Sequence, residues 1–315
     1  MRVRRKPGES RAGNLGLGMK QRSSGGGMAA AFLLAASLGL SACAEPLTGF
    51  LAPFQPAEID EPVDAPRKTT YVAMLKVGQA ARDAGDFRSA VQFYRRAHAM
   101  LPQEPAPLIS LGESLNAMGE SGEAATAFRK ALDIAPRDAV AMRGLGNALL
   151  GANQPELAAR QFEESLNVSE DYRAYLGLGV AMNILGEFVA AEELYRQGLD
   201  LAPGNLALTN NLALSLALSQ RYEEAILLME QLLENPDVSV RHRQNLALIY
   251  GLAGRMEDAR HVASLDLDEE SVERNLAFYE LLRGIEDPSA KAAGLGAFAN
   301  GGGVSHAPEF SREDP

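Results

Sequence analysis

LISLGESLNAMGESGEAATAFRKALDIAP, residues 108–136, reads as two helices, each followed by a breaker. Leu108, Leu111, Gly112 and Leu115 recur at helical spacing and share one face, and Ala124, Phe128 and Ala131 do the same farther on. Gly119 falls at the break between the two helices, where a positive φ is wanted. Pro136 ends the second helix because it has no N–H to continue the ladder.

The same grammar returns along the chain. Gly78, Gly112, Gly146, Gly179, Ala213 and Ala247 follow one another at intervals of 34, 34, 33, 34 and 34 residues. Twelve residues after each stands an alanine: Ala90, Ala124, Ala158, Ala191, Ala225 and Ala259. A period of about 34 residues marks stacked helix–turn–helix units. Helices approach within about 8–10 Å only through small contact residues, and glycine in a helix interior costs about 1 kcal/mol relative to alanine. Four glycines in one phase therefore mark close backbone approach. Such a protein meets partners through a surface, which weighs against a buried catalytic pocket.

A small residue, an alanine twelve residues on, an aromatic four beyond it and a closing proline together resemble the tetratricopeptide repeat. The resemblance implies an all-α, right-handed α-solenoid of about six repeats over residues 71–266. Three departures stand out. Glu170 replaces the proline of the third unit, Thr209 takes a usually bulky position in the fifth, and the sixth loses the pattern after Ala259. That unit is either complete or a repeat in outline only. A solenoid exposes an apolar face at each end, and residues 267–284 read as a capping helix. Asp268 starts it, Gly284 stops it, and Val272, Leu276, Tyr279 and Leu282 share one face. Residues 285–315 combine glycine, proline and charge without periodicity, the composition of a disordered tail.

Residues 1–42 read as a signal peptide. Basic residues crowd the start, and the apolar run Met28–Leu40 is too short for a bilayer, which needs about 20 residues. Leu40-Ser41-Ala42-Cys43 resembles the bacterial lipobox. That resemblance implies cleavage before Cys43, a diacylglycerol thioether on its sulfur, and acyl chains such as palmitate in the membrane. Met19, followed by Lys20 and Arg22, is an alternative start to Met1. Cys43 is the only cysteine, so it forms no internal disulfide and no multi-cysteine metal site. Lipoproteins resembling this one, with Ala44 rather than aspartate after the cysteine, go to the outer membrane. Residues 43–70, with five prolines, read as the lipidated cysteine and a tether. Leu47, Phe50, Leu51 and Phe54 within it either form a docking motif, lie at the membrane surface or are merely tolerated.

Removing residues 1–42 leaves 23 basic and 40 acidic residues, a formal net charge of −17. Bulk charge therefore disfavours nucleic acid. His98, His242, His261 and His306 are scattered, and no metal-ligand or nucleophile–base spacing occurs. Gly144-Leu145-Gly146 and Gly177-Leu178-Gly179 lie inside expected helices at the repeat phase, not in a dinucleotide loop. We expect no catalytic residues, metal, cofactor or small-molecule substrate.

In repeats resembling these, the first helix of each unit lines a concave surface. Carried over, that surface comprises Leu75, Gln79, Arg82, Ile109, Asn116, Arg143, Asn147, Leu176, Val180, Asn183, Asn210, Leu214, Gln244 and Leu248. Amides both donate and accept, so they can satisfy a peptide backbone without reading its sequence. The alternative is that they are solvated polar residues on an exposed helix face.

Asn211-Leu212-Ala213-Leu214 recurs as Asn245-Leu246-Ala247-Leu248, and Asn275-Leu276-Ala277-Phe278 follows. Behind a lipobox and a proline-rich tether, this succession resembles the TadD-like lipoproteins of the Tad (Flp, type IVc) pilus machinery. The resemblance implies an outer-membrane lipoprotein on the periplasmic face. Its role would be pilotin-like, placing or assembling the pilus secretin through peptide capture. Two rivals remain: a repeat lipoprotein of polysaccharide export or outer-membrane protein assembly, and an accessory of an envelope enzyme.

Overall fold

The computed structural model describes residues 65–287, 290–291 and 293–294. The signal peptide, Cys43, most of the expected tether and most of the expected tail lie outside those residues. The described residues form thirteen α-helices and no strand. They run as α1 (Ala65–Asp83), α2 (Phe87–Met100), α3 (Ala106–Ala117), α4 (Ser121–Ile134), α5 (Ala139–Gly151), α6 (Pro155–Val168) and α7 (Tyr172–Ile184). Then come α8 (Phe188–Leu201), α9 (Leu206–Leu218), α10 (Tyr222–Leu233), α11 (Val240–Leu252), α12 (Met256–Ala263) and α13 (Glu269–Arg283). Each helix packs on the next, and α3, α5, α7, α9, α11 and α13 also touch in succession. The result is an all-α solenoid in which odd-numbered helices form one layer.

The small residues of the 34-residue period receive aromatic rings. A β-carbon at Gly112 would stand 2.6 Å from the Phe128 ring, and one at Gly146 would stand 2.8 Å from Phe162. Both rings are fully buried. Gly144 and Gly177, the first glycines of the two Gly-x-Gly triplets, close on Phe128 and Phe162 from the following unit. Each of these rings is thus held between a glycine of its own unit and a glycine of the next. Burying a ring of this size contributes about 1.5–3 kcal/mol, available here only because both flanking positions lack a β-carbon.

The breaks follow from local chemistry. Gly85, Gly119, Gly186 and Gly254 take φ between 75° and 81° after the first helix of their units; Asn153 and Gln220 fill the same place at 56° and 64°. Where Glu170 replaces proline, α6 still ends, because Ser169 is extended and Asp171 caps α7 by accepting the Arg173 N–H at 3.0 Å. Two boundaries differ from the sequence reading. Helix α1 starts at Ala65, within the expected tether, with Pro66 in a first turn that needs no N–H from it. Past Ile285 the chain is helical again at 290–291 and 293–294, started by Asp287, whose Oδ2 accepts the Ala290 N–H at 2.6 Å. The sixth unit is short: α12 has 8 residues where α10 has 12.

Candidate peptide-binding groove

The odd-numbered helices from α1 to α11 line a groove of about 1530 Å³. Of the residues expected there, Arg82, Asn116, Arg143, Asn147 and Leu176 line it. Leu75, Gln79 and Ile109 are half-buried outside it, and Val180, Asn183, Asn210, Leu214, Gln244 and Leu248 are buried. The solvated-amide alternative fails for the buried amides as well.

Those amides form bridges inside the protein. Asn183 donates to the Tyr195 hydroxyl at 3.0 Å, and the Ser215 hydroxyl donates to Asn183 Oδ1 at 2.9 Å. Asn245 donates to Asn210 Oδ1 at 2.8 Å, joining α11 to α9. Gln244 reaches Asp266 Oδ2 at 3.4 Å. Burial pushes the Tyr195 phenol well above its ordinary pKa, with the Asn183 hydrogen bond drawing it partly back. Alanine at Asn183 therefore disturbs the interior and not a binding surface.

What does line the groove changes along its length. Near α1 and α3, Arg82 forms an ion pair with Glu113. Asn116 donates to the Gly144 carbonyl at 3.3 Å, which ties α3 to α5. Asn147 is exposed in the middle. Asp171 forms an ion pair with Arg143 at 3.1 Å and lies 3.9 Å from Arg173, whose guanidinium sits 4.7 Å from the Tyr172 ring centre. Toward α11 the lining comes from first turns: Leu206 and Ala207 of α9, then Val240, Arg241 and His242 of α11.

His242 closes the start of α11, accepting the Ser239 N–H on Nδ1 at 2.9 Å. Burial, then the charges of Arg241 and Arg243, hold its pKa below the ordinary histidine value. The sequence reading missed Val140, Arg173, Ala207 and Arg241. All four are the second residues of their helices, a phase that the repeat period itself marks. The groove offers ion pairs, one exposed amide and aliphatic side chains, a surface suited to an extended chain.

The tetratricopeptide repeat family model matches residues 75–139 and 143–205. Among solved structures, PilW, described as a widely conserved type IV pilus biogenesis factor, superposes with a TM-score of 0.58 at 19% identity, over 66% of this chain and 98% of its own. Pseudomonas aeruginosa PilF gives 0.53 at 19% identity, over 72% of this chain and 99% of its own. A tetratricopeptide repeat protein from Parabacteroides merdae gives 0.53 at 18% identity, over 70% and 86%. No curated protein matches the chain by sequence. At these identities the structural likeness establishes the fold: an all-α tetratricopeptide-repeat solenoid.

Proposed function

We propose that this chain is a lipid-anchored scaffold of a type IV-related pilus, held on the periplasmic face of the outer membrane through Cys43. Its groove takes peptide segments of assembly proteins, the secretin foremost. It thereby supports placement or assembly of the secretin of a Tad (Flp) system. The observation that carries the capture step is the continuous groove along six successive first helices. The lipobox and the recurring Asn-Leu-Ala triplets support the anchor and the system. PilW and PilF, with which the chain shares its fold, lend support from type IV pilus biology. Anchoring would raise the local concentration of groove and client without new contacts.

Two strains separate the parts. In a Cys43→Ala strain the secretin is expected to lose outer-membrane placement or multimerisation, and pili to be lost; normal pili would overturn the anchored role. In a Val140→Glu/Asn147→Arg strain, altered only at exposed groove residues, the protein stays folded and co-purifies with less secretin. Undiminished co-purification would overturn the groove's part.

A further inference from the structure

Both ends of the solenoid are unfinished, and they match. Helix α3 packs between α2 and α4, burying Pro107, Leu111 and Ser114. One period earlier on α1, Ala73, Val77 and Ala80 are exposed, with Val77 44% and neighbouring Val72 46% accessible. Helix α1 thus presents, uncovered, the face with which α3 meets its predecessor.

The other end is the start of a seventh unit rather than a plain lid. Asn275-Leu276-Ala277 on α13 repeats Asn245-Leu246-Ala247 on α11, and Asn245 and Asn275 are both fully buried. In that alignment Ala277 and Leu281 correspond to Ala247 and Gly251, which are buried in the sixth unit. On α13 they are uncovered: Ala277 is exposed and Leu281 is 66% accessible. The helical residues Ala290 and Ala293 beyond Asp287 are exposed too. Charge distinguishes the two ends. Helix α1 carries four basic residues and one acid, whereas residues 269–287 carry six acids and two arginines.

We infer that the protein associates head to tail, α1 of one copy covering the α13 end of the next. The match is apolar at its centre and opposite in charge around it, so one surface meets a different surface. Such a heterologous contact adds copies in an open row unless its rotation closes a ring.

Sedimentation velocity on the full chain tests this. The average mass is expected to rise with protein concentration and to fall as salt screens the paired charges. Val77→Glu and Leu281→Glu should each weaken self-association at least about tenfold, because each spoils one end. Mixed in equal amounts, the two variants should form a dimer and stop, since each retains the end that the other lacks. Far-UV circular dichroism checks that both are folded, and Val77→Ser with Leu281→Ser replaces them if helix content falls. A wild-type chain that stays monomeric overturns the inference. So does a Leu281→Glu chain that associates like wild type, which would point to α1 meeting α1. So does a mixture that remains monomeric.

Discussion

Adding one methyl group at Gly112 tests whether the 34-residue period is a packing device. In Gly112→Ala the new β-carbon would lie 2.6, 2.7 and 2.9 Å from three atoms of the Phe128 ring. That is roughly 1 Å short of ordinary carbon–carbon separation. The ring has no easy escape, because it is fully buried and Gly144 closes on its other side. Overpacking of this kind costs about 1–3 kcal/mol, while replacing a helical glycine with alanine returns about 0.5–1 kcal/mol. The net expectation is a loss of about 0.5–2 kcal/mol. For a folded region of this size that lowers Tm by about 1–8 °C. Gly122→Ala is the control: Gly122 is also helical, and a β-carbon there meets nothing within 4 Å. It should raise Tm by a few degrees through helix propensity alone. Thermal unfolding followed by circular dichroism reads both variants. If Gly112→Ala melts at or above Gly122→Ala, close approach is not why glycine stands there.

Two further outcomes follow from the interior and the groove. Asn183→Ala leaves the buried Tyr195 hydroxyl without its donor and should cost about 1–3 kcal/mol. Tyr195→Phe in that background should recover part of the loss in a chemical denaturation series, and no recovery would discount the bridge. The pKa of His242 is lowered in the folded state by burial and then by Arg241 and Arg243. The unfolded chain takes up a proton below about pH 6.5, before the folded chain does. Stability should therefore be fully present above that pH and decline as pH falls through the lower folded value. His242→Gln should flatten part of this slope in Tm measured against pH, with His98, also lowered by burial, supplying the remainder. An unchanged slope would exclude the Ser239–His242 cap as a sensor.

The solenoid was legible because its determinants are local. A glycine facing a ring sixteen residues later is a contact within one helical hairpin, and the period repeats it. The groove was legible only as far as α7, at Arg82, Asn116, Arg143, Asn147 and Leu176. Beyond α7, exposure depends on how closely neighbouring first helices approach, and no single unit encodes that distance. A cue was nevertheless present. LALTNNLALSLAL, residues 206–218, is apolar almost all round, the composition of a helix covered on every side. Asn210 and Asn211 within it are accordingly interior bridges. The seventh-unit character of α13 was hidden by the short α12, which contracts the interval between Asn-Leu-Ala triplets from 34 to 30 residues.

The rings between units carry one more implication, for how such an array can change over generations. Phe128 and Phe162 are flanked by glycine on both sides, whereas Tyr195 meets Gly179 and places its hydroxyl beside Asn183. The units therefore have fixed neighbours. An unequal exchange that duplicated the fourth unit ahead of the third would keep the Tyr195–Asn183 bond, which lies within that unit, but would leave Asn183 Oδ1 without the hydroxyl of Ser215, a residue of the fifth unit. Phenylalanine in place of Tyr195 would leave the Asn183 amide N–H without the hydroxyl it donates to. Lengthening or shortening this array by whole repeats thus requires a compensating change at the junction, so its order is inherited as a set rather than as copies of one part.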